Sequence, residues 1–337
     1  MPLLRPASIA IYLLLATACT SVPFDYPKQP TRAVPASADT YYGRRLASWS
    51  QENGAGMNGS VMLVQGMDAL GARLTMMETA EATIDAQYFL LKPDKAGDLF
   101  LGKLLRAADR GVRVRLLLDD IFTPRRDRIF AILSSHPNVE VRLFNPASRA
   151  SPAAWSLLWN FSRVNRRMHN KSFVVDGIIA IMGGRNIAEE YFELEPQQEF
   201  DDFEMLVFGA VVPDIAASFD RFWNSSQTVP IEAFQTSDKP QRVQRWREHM
   251  EAVVSGEMSS PYAAAVNSPF LQQVLDREIT PYVSTAELYY DSPRKLRSPR
   301  SEEEHRRLAA AVAGRLRNAR EEIIIITPYL VASDLRY

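Results

Sequence analysis

Apolar residues recur between residues 67 and 144 with two alternating periods. From Met67 to Met77 they are spaced three or four apart, which predicts a helix, and the run ATIDAQYFLL that follows predicts a buried strand. The pair repeats twice: residues 101–108 and 125–135 have helical spacing, Gly111 is a stop signal for the first of these helices, and VRVRLLLDD and VEVRLFN are strand-like. Helices that alternate with strands predict an α/β sandwich, a sheet with helices on both faces.

A fainter copy of this pattern lies at the end of the chain. Ser301 and Glu304 form a capping box before a helical face that contains Leu308, Val312 and Leu316, and REEIIIITPYL is strand-like. Three residues of each copy match at one offset of 241 residues: Glu81, Ile84 and Tyr88 against Glu322, Ile325 and Tyr329. We expect a duplicated domain, with a first copy at residues 50–225, a connecting region at 226–300 and the start of a truncated second copy at 301–337.

The N-terminus differs in character from the rest of the chain. Residues 1–19 hold one early Arg5, an apolar run and small residues before Cys19, the single cysteine. The run is too short for a comfortable spanning helix, so it predicts an export signal. The residues LATAC resemble a bacterial lipobox, in which the cysteine is lipidated, and an ordinary signal peptide is the alternative. Residues 20–49 begin with a proline-rich stretch that predicts an extended tether, so we expect a membrane-anchored lipoprotein of the bacterial cell envelope, on either membrane.

Composition narrows the classes of function. The 39 Lys and Arg residues nearly balance the 40 Asp and Glu residues, so net charge does not predict a nucleic-acid partner. A hydrophobic content of 46% in 337 residues is enough for one large domain or two ordinary ones. His136, His249 and His305 are scattered without the spacing of metal ligands, so we expect neither a metal nor another cofactor.

One stretch, RRMHNKSFVVDGIIAIMGGRN at residues 166–186, contains several residues of types that act in catalysis or bind ligands. If residues 168–175 form a strand, His169 and Lys171 lie on the same face, because side chains alternate along a strand. Asp176-Gly177 predicts a hairpin turn between two apolar runs. Taken singly, a surface His beside a Lys and an Asp-Gly turn are ordinary structural features.

The residues after the second apolar run complete a candidate phosphate site. Gly183 and Gly184 allow the backbone to come close to a ligand, and Asn186 stands where the N-cap of a helix is expected. Helix N-termini favour anions. An imidazole, a fixed cation, an amide and a glycine turn together are typical of a phosphate site, although Asn186 alone is equally a helix cap.

The combined spacing resembles the HxK(x)4D(x)6GGxN signature of the phospholipase D superfamily. The matching residues are His169, Lys171, Asp176, Gly183, Gly184 and Asn186. The stretches RVNRRMHNKSFVVDG, GGRNIAEEYF, FDDFEMLVFGAVV and LYYDSPRK are similar to bacterial cardiolipin synthases, in particular their type C branch, from about residue 50 to the end. The resemblance implies a phospholipase D-like αβα sandwich with a mixed sheet.

The resemblance also implies roles for these residues. His169 is expected to attack phosphorus, Lys171 and Asn186 to bind the non-bridging oxygens, and Asp176 to support the site. In that family two HxK domains share one active site, which places the partner of His169 near residue 410 at the offset of the repeat. We therefore expect this chain alone to be inactive or very slow, unless two copies pair.

An aromatic and basic segment precedes the motif. Residues 155–161 contain two Trp, two Leu and a Phe, and Arg163, Arg166 and Arg167 follow directly before His169. Such a segment suits a bilayer interface with arginines on lipid phosphates, and a core helix with a solvated basic end is an equal alternative.

These observations lead to one expected function with two alternatives. We expect a phosphatidyltransferase similar to cardiolipin synthase that acts through a phosphohistidine, with phosphatidylglycerol and, as a second candidate, phosphatidylethanolamine as lipid partners. A phospholipase D-type hydrolase of lipid or nucleic acid is the first alternative. An inactive lipid-binding lipoprotein is the second.

Overall fold

The computed structural model describes residues 22–123, 126–149, 167–194, 202–235, 238–256, 262–293 and 307–323. It divides the chain into two units, Met1–Leu288 and Tyr289–Tyr337. Within the described residues, no helix has the length and apolar character needed to cross a membrane.

Nine strands of the first unit form one sheet in the described part of the chain, in the order β8-β4-β3-β2-β5-β6-β7-β1-β9. β2, β3 and β4 are parallel neighbours, and every other neighbouring pair is antiparallel, so the sheet is mixed. The strands are β1 (Asn58–Met62), β2 (Thr83–Tyr88), β3 (Arg113–Asp119), β4 (Val139–Phe144), β5 (Ser172–Val175), β6 (Ile179–Gly183), β7 (Glu204–Gly209), β8 (Thr228–Pro230) and β9 (Tyr282–Ser284).

Helices alternate with the strands as the apolar periodicity predicts. Gly111, at φ +98°, follows the helix that was predicted to stop there. The described helices of the first unit are α1 (Tyr41–Asn53), α2 (Gly66–Thr79), α3 (Lys95–Asp109), α4 (Asp127–Ser134), α5 (Val212–Trp223), α6 (Pro240–Gly256), α7 (Ala263–Val266) and α8 (Phe270–Leu275).

Helices cover both faces of the sheet, which confirms the predicted αβα sandwich. On the first face, α2 and α3 bury apolar side chains against alternate strand residues such as Phe173 and Val175. On the second face, the residue between them, Val174, packs with Ile215 of α5. The side-chain alternation of β5 therefore divides one apolar run between two cores.

The second face also carries a buried ion pair. Arg115 of β3 donates to both carboxylate oxygens of Asp85 on β2, at 2.6 and 2.7 Å, and both side chains are almost fully buried. Asp220 of α5 lies 2.9 Å from the same guanidinium, which also stacks over Trp223. The pair joins the sheet to α5.

Residues 28–34, which we call the N-terminal strap, run against this face without helix or strand structure. The Thr31 carbonyl accepts from Arg115 at 3.1 Å, and the Ala33 N–H donates to Asp220 at 2.9 Å. Lys28 donates to the carbonyl of Ser225 at 2.6 Å. The predicted tether region thus includes contacts with the sheet that its proline-rich pattern does not indicate.

The described parts of residues 226–300 contribute to the sheet as well. β8 pairs with β4 at one edge, and β9 pairs with β1 at the other. Helix α6 packs on α3, where a Cβ at Gly102 would lie 2.6 Å from a methyl group of Val254. The region predicted as a connection therefore adds two edge strands and three helices, α6, α7 and α8.

The described residues of the second unit contain the helix α9 (Arg307–Asn318), in agreement with the helical spacing there. Its residues Leu308, Val312 and Leu316 are 39–49% exposed. The predicted capping box and most of the predicted strand that follows lie outside the described residues.

Candidate active site

Five strands of the sheet bring residues of the candidate site to one edge. The parallel strands β2 and β3 end there, and the antiparallel strand β5 begins there, since Ser172 is opposite Gln87. β6 ends and β7 begins at the same edge, with Gly183 opposite Glu204. The carboxyl ends of parallel strands are a common place for ligand sites in α/β sheets, and here the antiparallel strands add their own ends to it.

His169 and Lys171 are in contact at this edge. The Lys171 Nζ lies 3.0 Å from the His169 Nδ1 and 2.9 Å from the His169 carbonyl oxygen, to which it donates. His169 is exposed and Lys171 is buried. The ring of Phe89, the residue after β2, lies 4.7 Å from the imidazole centroid and 5.4 Å from the Lys171 Nζ. The exposed imidazole of His169 is therefore in contact with the ammonium group of the buried Lys171.

The two residues do not belong to the strand that was predicted to carry them. β5 begins at Ser172, so the prediction of a strand from residue 168 was four residues too long. The pair meets because the Lys171 side chain turns back to its own backbone at residue 169. The prediction that the two side chains are neighbours is nevertheless confirmed.

Burial lowers the pKa of Lys171 to about 8, while the charges of Asp202, Asp119 and Glu204 act in the opposite direction. A lysine with this pKa is still mostly charged at pH 7. Its ammonium group can donate a hydrogen bond to an anion that binds at this edge of the sheet.

Glu204, the first residue of β7, is one of the carboxylates near Lys171 that the sequence patterns missed. Its side chain is fully buried and paired with Arg73 of α2, and Arg185 lies 3.7 Å from the second oxygen. Two arginines therefore face one carboxylate in a buried place, which balances its charge if it is buried as an anion.

Asp119, the last residue of β3, is a second carboxylate that was missed. It is completely buried and accepts from the backbone N–H of Met168 at 2.9 Å, from Arg167 at 3.2 Å and from the backbone N–H of Ile121 at 3.0 Å. Burial raises the pKa of Asp119 to about 7, against the opposing effect of the Arg167 charge. The signal available in the sequence was an acidic pair, Asp119-Asp120, directly after a buried strand.

Asn186 does not cap a helix, so that expectation was wrong. Its amide oxygen accepts from the backbone N–H of Leu90 at 3.0 Å, and its amide nitrogen donates to the Tyr191 hydroxyl at 2.9 Å. The turn that follows is a 3₁₀ helix of three residues, Glu189–Tyr191, capped at Ala188 without a side-chain bond. Ile187 instead pairs with Leu91, which takes the backbone out of helical geometry.

At Gly183 and Gly184 neighbouring atoms lie too close for any residue with a Cβ. A Cβ at Gly183 would lie 2.3 Å from the carbonyl oxygen of Phe203, and one at Gly184 would lie 2.3 Å from the carboxylate of Asp202. The two glycines therefore admit the start of β7 and an acidic side chain to the edge of the sheet that carries Lys171.

Asp176 lies at the opposite end of β5. Five residue steps along the chain separate it from Lys171, about 16 Å at the rise of a strand. Its buried carboxylate accepts from the backbone N–H groups of Glu81, Ala82 and Thr83 at 3.1, 2.8 and 2.9 Å. With Gly177 it forms the predicted hairpin turn, both residues having positive φ, +53° and +65°. Its position favours the supporting role over contact with a ligand.

The remaining predicted residues are only partly described. Arg167 has a mostly buried side chain and donates to Asp119 and to the carbonyl of Asn145, both at 3.2 Å. Arg166, the aromatic segment before it and Cys19 lie outside the described residues. Among the residues that the structure does describe, no group of three or more His, Cys, Asp or Glu side chains is placed to hold a metal ion.

Comparison with known proteins shows that the part of the chain with this site matches a known family. Residues 74–223, which contain β2 to β7 and the His169–Lys171 pair, match the family described as "Cardiolipin synthase, PLD-like domain".

Three curated proteins show the extent of the similarity. The chain is 40% identical to cardiolipin synthase C of Escherichia coli (strain K12) over 71% of its own length and 51% of that protein. It is 30% identical to an uncharacterized protein of Helicobacter pylori (strain ATCC 700392 / 26695) over 90% of its length and 61% of that protein. Cardiolipin synthase A of Pseudomonas syringae pv. syringae (strain B728a) is 30% identical over 50% of the chain and 34% of that protein. The chain thus spans about half the length of the first two relatives.

Proposed function

The chain contains a phospholipase D-like domain of the cardiolipin synthase type at residues 74–223, and on that premise we propose that its His169 takes a phosphatidyl group from one phospholipid and passes it to the headgroup alcohol of another. Family membership supports an enzyme of the phosphatidyltransferase or phosphodiesterase kind. The observation that carries the finer proposal is the exposed imidazole in contact with a buried cation at the edge of the sheet.

A covalent intermediate suits this pair of residues. In the first step an imidazole nitrogen of His169 attacks phosphorus, a P–N bond forms, the P–O bond to the leaving group breaks, and the leaving oxygen takes a proton from water to become an alcohol. In the second step the oxygen of the acceptor alcohol attacks phosphorus, the P–N bond breaks, and the acceptor gives its proton to water. Two such steps avoid the direct attack of a neutral alcohol on an anionic phosphodiester.

Lys171 is the donor that the geometry offers for the phosphoryl oxygens. Its ammonium lies beside the imidazole, so a phosphorus bonded to His169 has an oxygen within reach of the lysine. A donor placed in this way contributes roughly 3 kcal/mol to stabilising developing charge. Asn186 has both amide atoms engaged with Leu90 and Tyr191, which favours a part in holding the walls of the site together.

The phosphatidyl donor is tested directly with phosphatidylglycerol radiolabelled at phosphorus. Wild type is expected to yield cardiolipin, slowly unless two copies pair, and, after an alkaline quench, a labelled protein band that acid removes, as a phosphoramidate requires. His169→Ala is expected to lose both signals.

His249→Ala is the matched control, because His249 is an exposed histidine of α6 whose ion-pair partner is Asp98. It should keep both signals. Phosphatidic acid as the main product would favour the hydrolase, and no product with any phosphodiester would favour the lipid-binding protein.

We also propose a location at the cell envelope. The support is the lipobox-like sequence at Cys19 together with the phospholipid chemistry proposed for the site. A lipid anchor would keep the enzyme at the surface where its substrates are, and membrane phospholipids are then its main partners.

A further inference from the structure

The backbone before His169 is held by side-chain hydrogen bonds and not by pairing with a neighbouring strand. β5 begins at Ser172, so residues 167–171 have no strand pairing of their own. The N–H of Met168, directly before His169, donates to Asp119 at 2.9 Å, and the Arg167 side chain donates to the other oxygen of the same carboxylate at 3.2 Å. Two consecutive residues that lead into His169 are thereby tied to the end of β3.

Asp119 is itself rigidly placed. It is the last residue of a strand whose register with β4 sets it opposite Phe144, and its side chain is 0% exposed. One of its oxygens also accepts from the Ile121 N–H at 3.0 Å, which fixes the plane of the carboxylate. Both oxygens therefore accept hydrogen bonds, on an interior strand of the sheet.

We infer that Asp119 is a positioning residue for His169: it sets the direction in which the backbone enters the site, and with it the approach of the imidazole to phosphorus. The catalytic meaning of this inference rests on the proposed function, whereas the structural link between Asp119 and His169 stands independently. Burial raises the pKa of Asp119 to about 7, so the tests below are made at pH 8, where most of the carboxylate is ionised.

The substitution Asp119→Asn should remove the hydrogen bond from the Met168 N–H and keep those from Ile121 and Arg167. An amide has one acceptor oxygen and one donor nitrogen. The oxygen will face Ile121 and Arg167, because two donors point there, and the amide nitrogen is then turned towards the Met168 N–H. Two donors repel at that place, so the variant moves the backbone before His169 while the side-chain volume stays the same.

The first measurement is the position of the His169 imidazole signal in a ¹H–¹³C spectrum of chain labelled at histidine. The sequence has 4 histidines, and His169→Ala assigns the peak. Asp119→Asn should shift the His169 peak and leave the other three in place. The second measurement is steady-state transfer, in which kcat should fall about 100-fold, as for a reacting group displaced by about 1 Å, with KM changed less than about twofold.

Asp85→Asn is the matched control, since Asp85 is a buried carboxylate on the neighbouring strand that binds Arg115 on the second face. It should lower the unfolding temperature without moving the His169 peak or kcat. If Asp119→Asn does not fold, Asp119→Ser replaces it, because the smaller side chain leaves the Met168 N–H without its acceptor.

The inference is overturned if the His169 peak stays in place in a folded Asp119 variant, or if Asp85→Asn moves it equally. If wild type transfers nothing, the proposed function fails, while the His169 peak still decides the role of Asp119.

Discussion

Replacing Asp176 separates a structural carboxylate from a catalytic one. The Asp176 carboxylate accepts three backbone N–H bonds at the start of β2, and its φ of +53° lies in the left-handed region. Asn tolerates that region and keeps an amide oxygen, whereas Ala does neither. We therefore compare Asp176→Asn with Asp176→Ala.

The magnitudes follow from the contacts. In Asp176→Ala the N–H groups of Ala82 and Thr83 lose their acceptor, at about 1–3 kcal/mol each for groups removed from water. The left-handed backbone adds about 1–2 kcal/mol for a residue with a Cβ and no polar side chain. The free energy of unfolding should fall by about 4 kcal/mol. In Asp176→Asn the oxygen stays on Ala82 and Thr83, and the loss at the exposed Glu81 N–H should be about 1 kcal/mol.

The assay combines urea unfolding, followed by circular dichroism, with transfer activity per folded molecule. Both variants should keep the activity of wild type at urea concentrations where they remain folded. A loss of 100-fold or more in folded Asp176→Asn, with stability within about 1 kcal/mol of wild type, would refute the structural role and return Asp176 to the catalytic residues.

Three further changes test other parts of the molecule. Lys171 loses its proton as pH rises through about 8, so activity should decline above pH 8; Lys171→Arg should move that decline upward, and an unchanged pH profile contradicts the role. The lowered pKa of Lys171 also predicts that the free energy of unfolding rises as pH increases from 8 to about 10.4. In that range the unfolded chain still holds the proton and the folded chain does not, so each increase in pH disfavours the unfolded state. Arg115→Met leaves Asp85 buried without its partner and should cost about 3–5 kcal/mol by urea unfolding, with the His169 signal unmoved. Cys19→Ser should shift the protein from membrane to soluble fractions or leave a precursor, and wild type that incorporates no labelled palmitate contradicts the lipid anchor.

The elements that sequence predicted well are those encoded by neighbours along the chain. The helix and strand order of residues 66–144 follows from apolar spacing, and the turn at Asp176-Gly177 follows from two residues that tolerate positive φ. The contact of His169 with Lys171 needs only two residues of separation, so it survived an incorrect strand boundary.

The elements that sequence missed depend on chain segments far apart. Asp119 binds Met168 across 49 positions, and Glu204 binds Arg73 across 131. Asn186 was taken for a helix cap because its local pattern fits one, but its amide oxygen accepts from Leu90, which lies in the loop after β2, 96 positions away. No periodicity reports such partners, since they are fixed by the order of strands in the sheet.

The gathering of the site from five strands has a consequence for how the protein acquires activity. The strands that supply it run from Thr83 to Gly209 in sequence, and in the sheet β5 inserts between β2 and β6. No hairpin or single βαβ unit in the described part of the chain contains the whole set, so a nascent or partly unfolded molecule has His169 without its surroundings. Contacts with such large sequence separation form late and together in folding. Activity should therefore appear in one cooperative event with the complete sheet, so that, under the proposed function, an immature chain does not cleave phosphodiesters.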